Sequence, residues 1–230
     1  METFVVEGRL AVEALLDSPF EIVEVCLEQG RHSELLARFD QDQVPYRVLK
    51  KDELSQDRGY QFRRGVFAIA ARSQPELLHP DASRVAIPVD LADPGNLGTI
   101  IRSAAAFGAD GVVVEQGKGA DPFNAKCIRA SATAVFRMPV YEVDSLVTEI
   151  ESLKERGFVV FGTSLSDSAV SIREVEPAKR SVVLLGSEES GLPPEIEACC
   201  DELVRVPMID GMDSLNVGAS AAIAFWELWG

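Results

Sequence analysis

The fold is decided by residues 85–114, which read VAIPVDLADPGNLGTIIRSAAAFGADGVVV. Two runs that are almost entirely apolar, 85–89 and 111–114, flank a stretch of helical composition at 97–107. Such apolar runs are typical of parallel strands that are covered on both faces, and the order strand, helix, strand indicates a βαβ unit. The segment therefore predicts an α/β domain built on a parallel sheet.

The same alternation continues in both directions along the chain. Downstream, strand-like runs occur at 158–161 and 182–185, and helical stretches occur at 144–156 and 215–228. The upstream elements are shorter, with helical spacing at 12–16 and 35–39 and strand-like runs at 22–27, 44–49 and 65–70. Residues 73–83 contain two prolines and have the composition of a linker. We predict a small α/β domain at 1–72, a linker at 73–84 and the parallel-sheet domain at 85–230.

Charge argues against a protein that binds nucleic acid through a generally basic surface. The 230 residues carry a formal charge of −15, with 47% hydrophobic and 26% charged residues, the composition of an ordinary globular protein. The first 84 residues hold 15 acidic and 11 basic residues, a net of −4, which leaves −11 for the remainder. The less acidic half contains the pair Arg63 and Arg64, with Arg58 and Arg72 nearby, which is either a polyanion-binding patch or a solvated charged face.

The cysteines and histidines exclude several kinds of chemistry. The four cysteines, Cys26, Cys127, Cys199 and Cys200, form no C-x-x-C motif and have no nearby histidine, so neither a metal site nor a disulfide framework is expected. Both histidines precede residue 85, so a base in the second domain would not be its own histidine. The first ten residues lack a signal-peptide pattern and no stretch approaches about 18 apolar residues, so we expect a cytoplasmic protein without a membrane span.

Three loops concentrate glycine, asparagine, serine and glutamate where strands are predicted to end, and ligands of open α/β sheets bind at such ends. In the first loop, residues 90–103, Asn96 could simply cap a helix, or Asn96 and Arg102 could meet a ligand, with Arg102 orienting a phosphate. The second, 184–194, approaches a phosphate-binding loop but lacks its lysine, and its two glutamates suit a ligand with hydroxyls or an amine. In the third, 206–217, Ser214 could cap the last helix and Asn216 would lie in its first turn.

Taken together and in this order, the three loops resemble those of the SpoU (TrmH-like) family of the SPOUT superfamily, whose members are S-adenosylmethionine-dependent RNA ribose 2′-O-methyltransferases. The matching segments are DPGNLGTIIRSAAAFGAD at 93–110, VVLLGSEESGLP at 182–193 and VPMIDGMDSLNVGASAAI at 206–223. More loosely, GRLAVEALL at 8–16 is similar to the opening of the family's small L30e-like RNA-binding domain.

The resemblance implies a parallel α/β sheet whose C-terminal segment is threaded into a deep trefoil knot, an exception to the rule that chains avoid knots. It implies homodimers with each active site at the interface, and S-adenosylmethionine bound in the knot. The cofactor would be held by the loops that carry Gly186 and Ile209, by the start of the last helix near Leu215, and by Thr163, Ser164 and Leu165 at a strand end.

The family's catalytic positions correspond to Arg102, Asn96, Glu188, Ser214 and Asn216. By resemblance, Arg102 would handle the target ribose and its phosphate. Because a guanidinium stays protonated at neutral pH, we assign it positioning of the 2′-hydroxyl rather than deprotonation. Glu188 would organise the site by hydrogen bonds, and Ser214 and Asn216 would orient the ribose or Arg102. Methyl transfer from a sulfonium requires mainly alignment, so no metal is expected.

Two segments depart from the family pattern. Thr133 stands where relatives often have glycine, and Arg63-Arg64-Gly65 replaces a stretch that often contains histidine or glutamine. We assign Arg63 and Arg64 to RNA binding. Ribosomal RNA is the favoured substrate by resemblance of the front domain, and tRNA is the alternative. Two other hypotheses are a non-catalytic S-adenosylmethionine- or RNA-binding module of the same fold, and an α/β enzyme acting on a nucleotide or acidic metabolite.

Overall fold

The computed structural model describes residues 2–72, 78–166, 168–187, 190–209 and 214–230. Its strands are β1 (Thr3–Glu7), β2 (Ile22–Glu28), β3 (Tyr46–Leu49), β4 (Val66–Ala71), β5 (Arg84–Pro88), β6 (Gly111–Glu115), β7 (Val140–Val143), β8 (Val159–Thr163), β9 (Val170–Ser171), β10 (Ser181–Leu185) and β11 (Glu202–Arg205). Its α-helices are α1 (Arg9–Leu16), α2 (Glu34–Gln41), α3 (Lys51–Arg58), α4 (Pro94–Ala106), α5 (Ala125–Ala130), α6 (Leu146–Glu155), α7 (Pro194–Glu197) and α8 (Val217–Trp229). Short 3₁₀ helices span Ala134–Phe136 and Ile172–Glu174.

The first four strands form a small mixed sheet in the order β1-β4-β2-β3. Strand β4 is antiparallel to both β1 and β2, whereas β2 and β3 are parallel. The helices cover the sheet with buried apolar positions at helical spacing, Val12 and Leu15 on α1 and Leu35 and Phe39 on α2. The strands and helices expected in this part of the chain are observed, with β1 and α3 in addition.

The remaining strands form a seven-stranded sheet in the order β7-β6-β5-β10-β8-β11-β9, and neighbouring strands pair in parallel throughout. The central strand β10 is buried along its whole length, so its apolar run reflects helices and loops on both faces. The expected α/β class with a parallel sheet is confirmed. The carboxyl ends of β8, β10 and β11 meet at one edge, which is where the site is assembled.

Two helices begin at residues other than those expected. Helix α4 is capped by Asp93, whose side chain accepts the backbone N–H of Asn96 at 2.9 Å, so Asn96 is not the cap. Helix α8 is capped by Asn216, which accepts the backbone N–H of Gly218 at 3.0 Å, so the expectation that Ser214 caps it was wrong. In each case a carboxylate or amide side chain at the helix start supplies the acceptor.

The knot, the L30e-like identity of the small domain and the domain boundaries stay predictions. Residues 210–213 of the third loop and residues 73–77 of the predicted linker lie outside the described residues. The end of that linker is packed, because Leu78 and Ala82 are buried with the core of the larger sheet.

The small domain contacts the larger one through aromatic rings. The ring of Phe4 on β1 stacks on that of Phe123 with centroids 4.6 Å apart, and Phe20 meets the same ring edge-on at 5.4 Å. Beside them, Arg72 lies over Phe123 at 5.1 Å and pairs with Glu142 of β7. Apolar and charged contacts therefore fix the small domain against the first strands and helices of the larger one.

Candidate active site

A cavity of about 400 Å³ lies at the carboxyl ends of β8, β10 and β11. Thr163 closes β8, Gly186 follows β10, and Leu215 precedes α8, so three separate segments supply its walls. Its volume falls within the range of small-molecule and cofactor sites. Five of the six positions expected to hold a cofactor line this cavity, namely Thr163, Ser164, Leu165, Gly186 and Leu215, and Ser214 lines it as well.

Gly186 is required by the close approach of two backbone segments. A Cβ atom at this position would lie 2.3 Å from the carbonyl carbon of Gly191 and 2.6 Å from the nitrogen of Leu192. The same turn is closed by backbone hydrogen bonds between Ser187 and Gly191 at 3.1 and 3.0 Å. The cavity wall here is therefore backbone, which can approach a ligand without an intervening side chain.

The polar side chains of the cavity are mainly hydroxyls. Thr163 donates to the carbonyl of Leu184 at 3.0 Å, and Ser164 donates to the Glu197 carboxylate at 3.3 Å. Glu197 lines the cavity from α7 and supplies a negative charge. Hydroxyls, backbone and a carboxylate match a ligand that carries hydroxyls and an amine better than a triphosphate.

Two of the expected cofactor positions carry exposed aliphatic side chains. Leu165, which lines the cavity, is 62% exposed, and Ile209 is 80% exposed. Ile209 lines an adjoining hollow, which shares Met208 and Leu215 with the cavity, rather than the cavity itself. The sixth expected cofactor position is thus next to the cavity and not in its wall.

Asn96 and Asn216 join the starts of α4 and α8. The Asn216 side-chain amide donates to the side-chain oxygen Oδ1 of Asn96 at 3.0 Å, across 120 positions of sequence. Two residues further along α8, a Cβ at Gly218 would lie 2.7 Å from the Thr99 methyl, so the two helices approach closely only because residue 218 has no side chain. The Asp93 cap is held ionised, because its ion pair with Lys126 and the N–H of Asn96 lower the pKa of its carboxyl. Two of the expected catalytic residues are therefore brought together on a braced pair of helices.

Arg102 lies in a different depression from the cofactor cavity. Its side chain is exposed and lines a cleft with Ser131, Ala132 and Arg137, whereas it does not line the cavity of Gly186. The segment beyond α5 adopts two consecutive left-handed residues, Ala132 with φ 48° and Thr133 with φ 66°. A glycine at position 133 would adopt this left-handed conformation with less strain than Thr133 does. Glu188, the fifth expected catalytic residue, lies outside the described residues.

Arg63 and Arg64 lie at the edge of the small domain, just before β4. Arg63 donates to Gln61 at 2.9 Å, and Arg64 lies 3.8 Å from the Glu7 carboxylate. Both arginines are exposed. Neither arginine lines the cavity at the carboxyl edge of the larger sheet.

The cysteines show no sign of nucleophilic or metal-binding chemistry. Burial raises the pKa of Cys26, Cys127 and Cys200 to about 12, so these thiols remain protonated at neutral pH. Within the described ranges, no group of three or more histidine, cysteine, aspartate or glutamate side chains could hold a metal ion. No helix in the same ranges is long and apolar enough to cross a membrane.

Sequence reasoning missed several residues of the cavity. Glu197, Arg205 and Ser220 contribute to its wall from α7, β11 and α8. Glu197 could have been found from the Pro193-Pro194 pair, because proline favours the first turn of a helix and so predicts α7. Nothing in the sequence around Arg205 or Ser220 distinguishes them from surface residues.

Comparisons with known proteins match the whole chain. The model of the SpoU rRNA Methylase family matches residues 84–226. The 23S rRNA (guanosine(2553)-2′-O)-methyltransferase RlmP of Bacillus subtilis is 30% identical over 230 residues, which cover 99% of this chain and 89% of the relative. The 23S rRNA (guanosine-2′-O-)-methyltransferase RlmB of Acinetobacter baylyi is 28% identical, covering 96% and 94%.

A solved structure shows the same architecture. The AdoMet-bound rRNA methyltransferase from Sinorhizobium meliloti superimposes with a TM-score of 0.84 at 28% identity, covering 98% of this chain and 86% of the other. The family match extends from the first strand of the large sheet almost to the end of the last helix. The resemblance inferred from the three loops is confirmed, and the chain belongs to the SpoU rRNA methylase family.

Proposed function

We propose that this chain transfers a methyl group from S-adenosylmethionine to a ribose 2′-hydroxyl of ribosomal RNA. The observation that carries the proposal is the backbone-walled cavity at Gly186, in a chain whose full length matches 23S rRNA 2′-O-methyltransferases. Because those relatives match both domains and act on ribosomal RNA, we prefer ribosomal RNA to tRNA. An enzyme with this substrate would work in the cytoplasm.

The cavity fits S-adenosylmethionine in size and chemistry. When bound, this cofactor supplies an electrophilic methyl group. Thr163, Ser164 and Leu165 would hold it from the end of β8, the backbone of Gly186 from the end of β10, and Leu215 from the approach to α8. Ile209 would cover it from the adjoining hollow. The cavity wall also contains the Glu197 carboxylate and the Arg205 guanidinium. Its carboxylate and hydroxyls offer acceptors to an ammonium, its hydroxyls can bind a ribose, and the guanidinium can donate to a carboxylate.

The catalytic residues would act by positioning. Arg102 presents a guanidinium whose planar donors can bind a phosphate in a bidentate manner and so fix the adjacent ribose. The Asn96–Asn216 hydrogen bond braces α4, the helix that carries Arg102, against α8. Ser214 adds a hydroxyl at the cavity wall. Glu188 would organise the site by hydrogen bonds. Alignment of a hydroxyl with the methyl carbon supplies most of the required acceleration in such a reaction.

We also propose that two copies of the chain associate through α8. Trp226 is 63% exposed and lines an apolar hollow with Ile209 and Ile223. An exposed apolar surface of this kind on a globular protein commonly marks an interaction site. The hollow borders the cofactor cavity through Leu215, so a partner seated on it would complete the wall of the site.

Replacing Trp226 with lysine is expected to convert the dimer into a monomer, because a charge would be buried in an apolar interface. Light scattering after gel filtration should give twice the 25.0 kDa chain mass for the unmodified protein and one chain for Trp226→Lys. Val48→Lys is the matched control, since Val48 is 45% exposed on β3 of the small domain. A dimer that survives Trp226→Lys would show that another surface is used.

Reversing the charge of the arginine patch is expected to weaken RNA binding. Each phosphate contact contributes a slope of about 0.7 to 0.9 to the dependence of log K on log salt. The double variant Arg63→Glu, Arg64→Glu should therefore lower that slope by roughly 1.4 to 1.8 and leave S-adenosylmethionine affinity and the dimer unchanged. An unaltered salt dependence would remove the patch from the RNA interface. The control is Lys179→Glu, which reverses the charge of an exposed lysine in the larger domain.

The reaction itself is tested by transfer of labelled methyl from S-adenosylmethionine to total bacterial RNA. Nuclease mapping should place the label on the ribose of one ribosomal RNA nucleotide. Label on tRNA would correct the substrate class. S-adenosylmethionine binding without any transfer would favour a non-catalytic module, and absence of binding would contradict the cofactor assignment.

A further inference from the structure

Tyr60 is an exposed aromatic residue beside the arginine patch. It is 48% exposed, although aromatic side chains of this size are usually well covered in a small domain. It lies three residues before Arg63, in the loop that joins α3 to β4. The residues assigned to methyl transfer and cofactor binding all lie outside this loop.

The ring of Tyr60 is held in one orientation from three sides. Its hydroxyl donates to the Glu7 carboxylate, its ring meets that of Phe62 edge-on at 6.2 Å, and the Arg58 guanidinium lies 5.6 Å from its centroid. Glu7 is itself bound by Arg58 at 3.0 Å and its side chain is only 9% exposed. The ring is therefore fixed before any partner arrives, so ordering it on binding costs little entropy.

The loop that carries the two arginines is fixed as well. Arg31 donates to the backbone carbonyl of Arg63 at 3.1 Å, and the His32 ring lies at hydrogen-bond distance, 3.2 Å, from the carbonyl of Arg64. A Cβ at Gly65 would lie 2.9 Å from the Arg31 guanidinium carbon, and Gly65 has φ 74°, so this packing needs glycine. Arg64 lies 3.8 Å from the same Glu7 carboxylate that accepts the Tyr60 hydroxyl, and Arg63 donates to Gln61, the residue after Tyr60.

We propose that Tyr60 is a stacking platform for an unpaired nucleobase of the RNA substrate, with Arg63 and Arg64 binding the phosphates on either side of it. The inference rests on the proposed RNA methyltransferase function and names the RNA feature that the small domain recognises. Proteins recognise unpaired RNA by stacking splayed bases on aromatic rings, whereas duplex RNA is contacted mainly at phosphates and 2′-hydroxyls. A fixed, exposed ring with arginines in the same loop thus selects an RNA loop or bulge over a continuous helix.

The test compares two labelled RNA probes, a stem-loop and a blunt duplex of the same stem, with the full-length protein. Tyr60→Ala should weaken binding of the stem-loop roughly 5- to 150-fold, the loss expected for one stacked base, and leave duplex binding within about twofold. The salt dependence of stem-loop binding should stay as in the unmodified protein, because a ring contributes no released counterions. Arg63→Ala should weaken both probes and lower that dependence.

Three further variants separate stacking from other effects. Tyr60→Phe and Tyr60→Trp keep a ring, so both should bind the stem-loop within about threefold of the unmodified protein. Val48→Ala removes a comparably exposed apolar side chain from the same domain and should change nothing. S-adenosylmethionine binding to the cavity, which neither Tyr60 nor Val48 lines, reports that each variant is folded.

The inference is overturned if Tyr60→Ala binds the stem-loop as tightly as the unmodified protein, or if Tyr60→Phe loses as much as Tyr60→Ala. It is also overturned if Tyr60→Ala weakens duplex and stem-loop equally. These binding measurements do not require turnover. Failure of the unmodified protein to methylate any RNA, while the stem-loop preference holds, would contradict the proposed function and leave the stacking platform supported.

Discussion

Replacing Arg102 with alanine should abolish methyl transfer and leave the affinity for S-adenosylmethionine within about twofold. The expected loss in kcat/KM is at least about 100-fold, the cost of removing one preorganised group that fixes the reacting centre. Affinity for the cofactor should be spared, because Arg102 lines the cleft of Ser131 and Arg137 rather than the cavity of Gly186. Labelled methyl transfer and equilibrium binding of the cofactor measure the two quantities separately.

Arg102→Lys tests the positioning role of Arg102 with a second, conservative substitution. Lysine keeps the positive charge but lacks the planar donors that bind a phosphate in two places, so we expect it to recover only a small part of the lost activity. Lys179→Ala, at an exposed cation of the same domain, should retain full activity. Full activity of Arg102→Ala would remove this residue from the mechanism, and a parallel loss of cofactor binding would mean that it supports the cavity.

The large sheet could be predicted because its central strands are buried on both faces. The runs at 85–89, 111–114, 158–161 and 182–185 correspond to β5, β6, β8 and β10, each within one or two residues. Strands β9 and β11 gave no comparable signal, since β9 has two residues and β11 has a single buried one. Helix α3 was also missed, because Leu54 is its one buried residue and a solvated helix carries little hydrophobic periodicity.

Several residues of the site could be identified from the sequence, but their arrangement in space could not. The loops at Gly186 and Leu215 were identified by their motifs, and the structure brings both to one cavity. The sequence did not reveal that Arg102 lies in a separate cleft, because a helix face is chosen by packing against α5 and α8 rather than by local composition. Tyr60 was missed because its significance depends on Glu7, which is distant along the chain, and on the Arg58 guanidinium beside its ring.

Gly186→Ala is expected to have the second-largest effect, on cofactor binding rather than on chemistry. The added methyl would lie 2.3 Å from the carbonyl carbon of Gly191 and 2.6 Å from its oxygen, so the backbone itself must move. The displaced loop would offer fewer hydrogen bonds to the cofactor, at a cost of about tenfold in affinity for each bond lost. Overlap of this kind also destabilises the fold by roughly 1–3 kcal/mol. Equilibrium binding of S-adenosylmethionine and thermal unfolding measure both effects.

Gly157→Ala is the control that introduces backbone strain without changing the cavity. Gly157 has φ 84°, and a Cβ atom added there would meet no atom of the described residues within 4 Å, so alanine costs conformational strain alone. It precedes β8 at the amino end of the sheet, opposite the edge where the cavity lies. We expect Gly157→Ala to lower the unfolding temperature with unchanged cofactor affinity. If Gly186→Ala binds the cofactor with unchanged affinity, the backbone wall at Gly186 does not support the cofactor. If Gly186→Ala loses cofactor affinity and Gly157→Ala does not, cofactor binding depends on the close approach of Gly186 and Gly191.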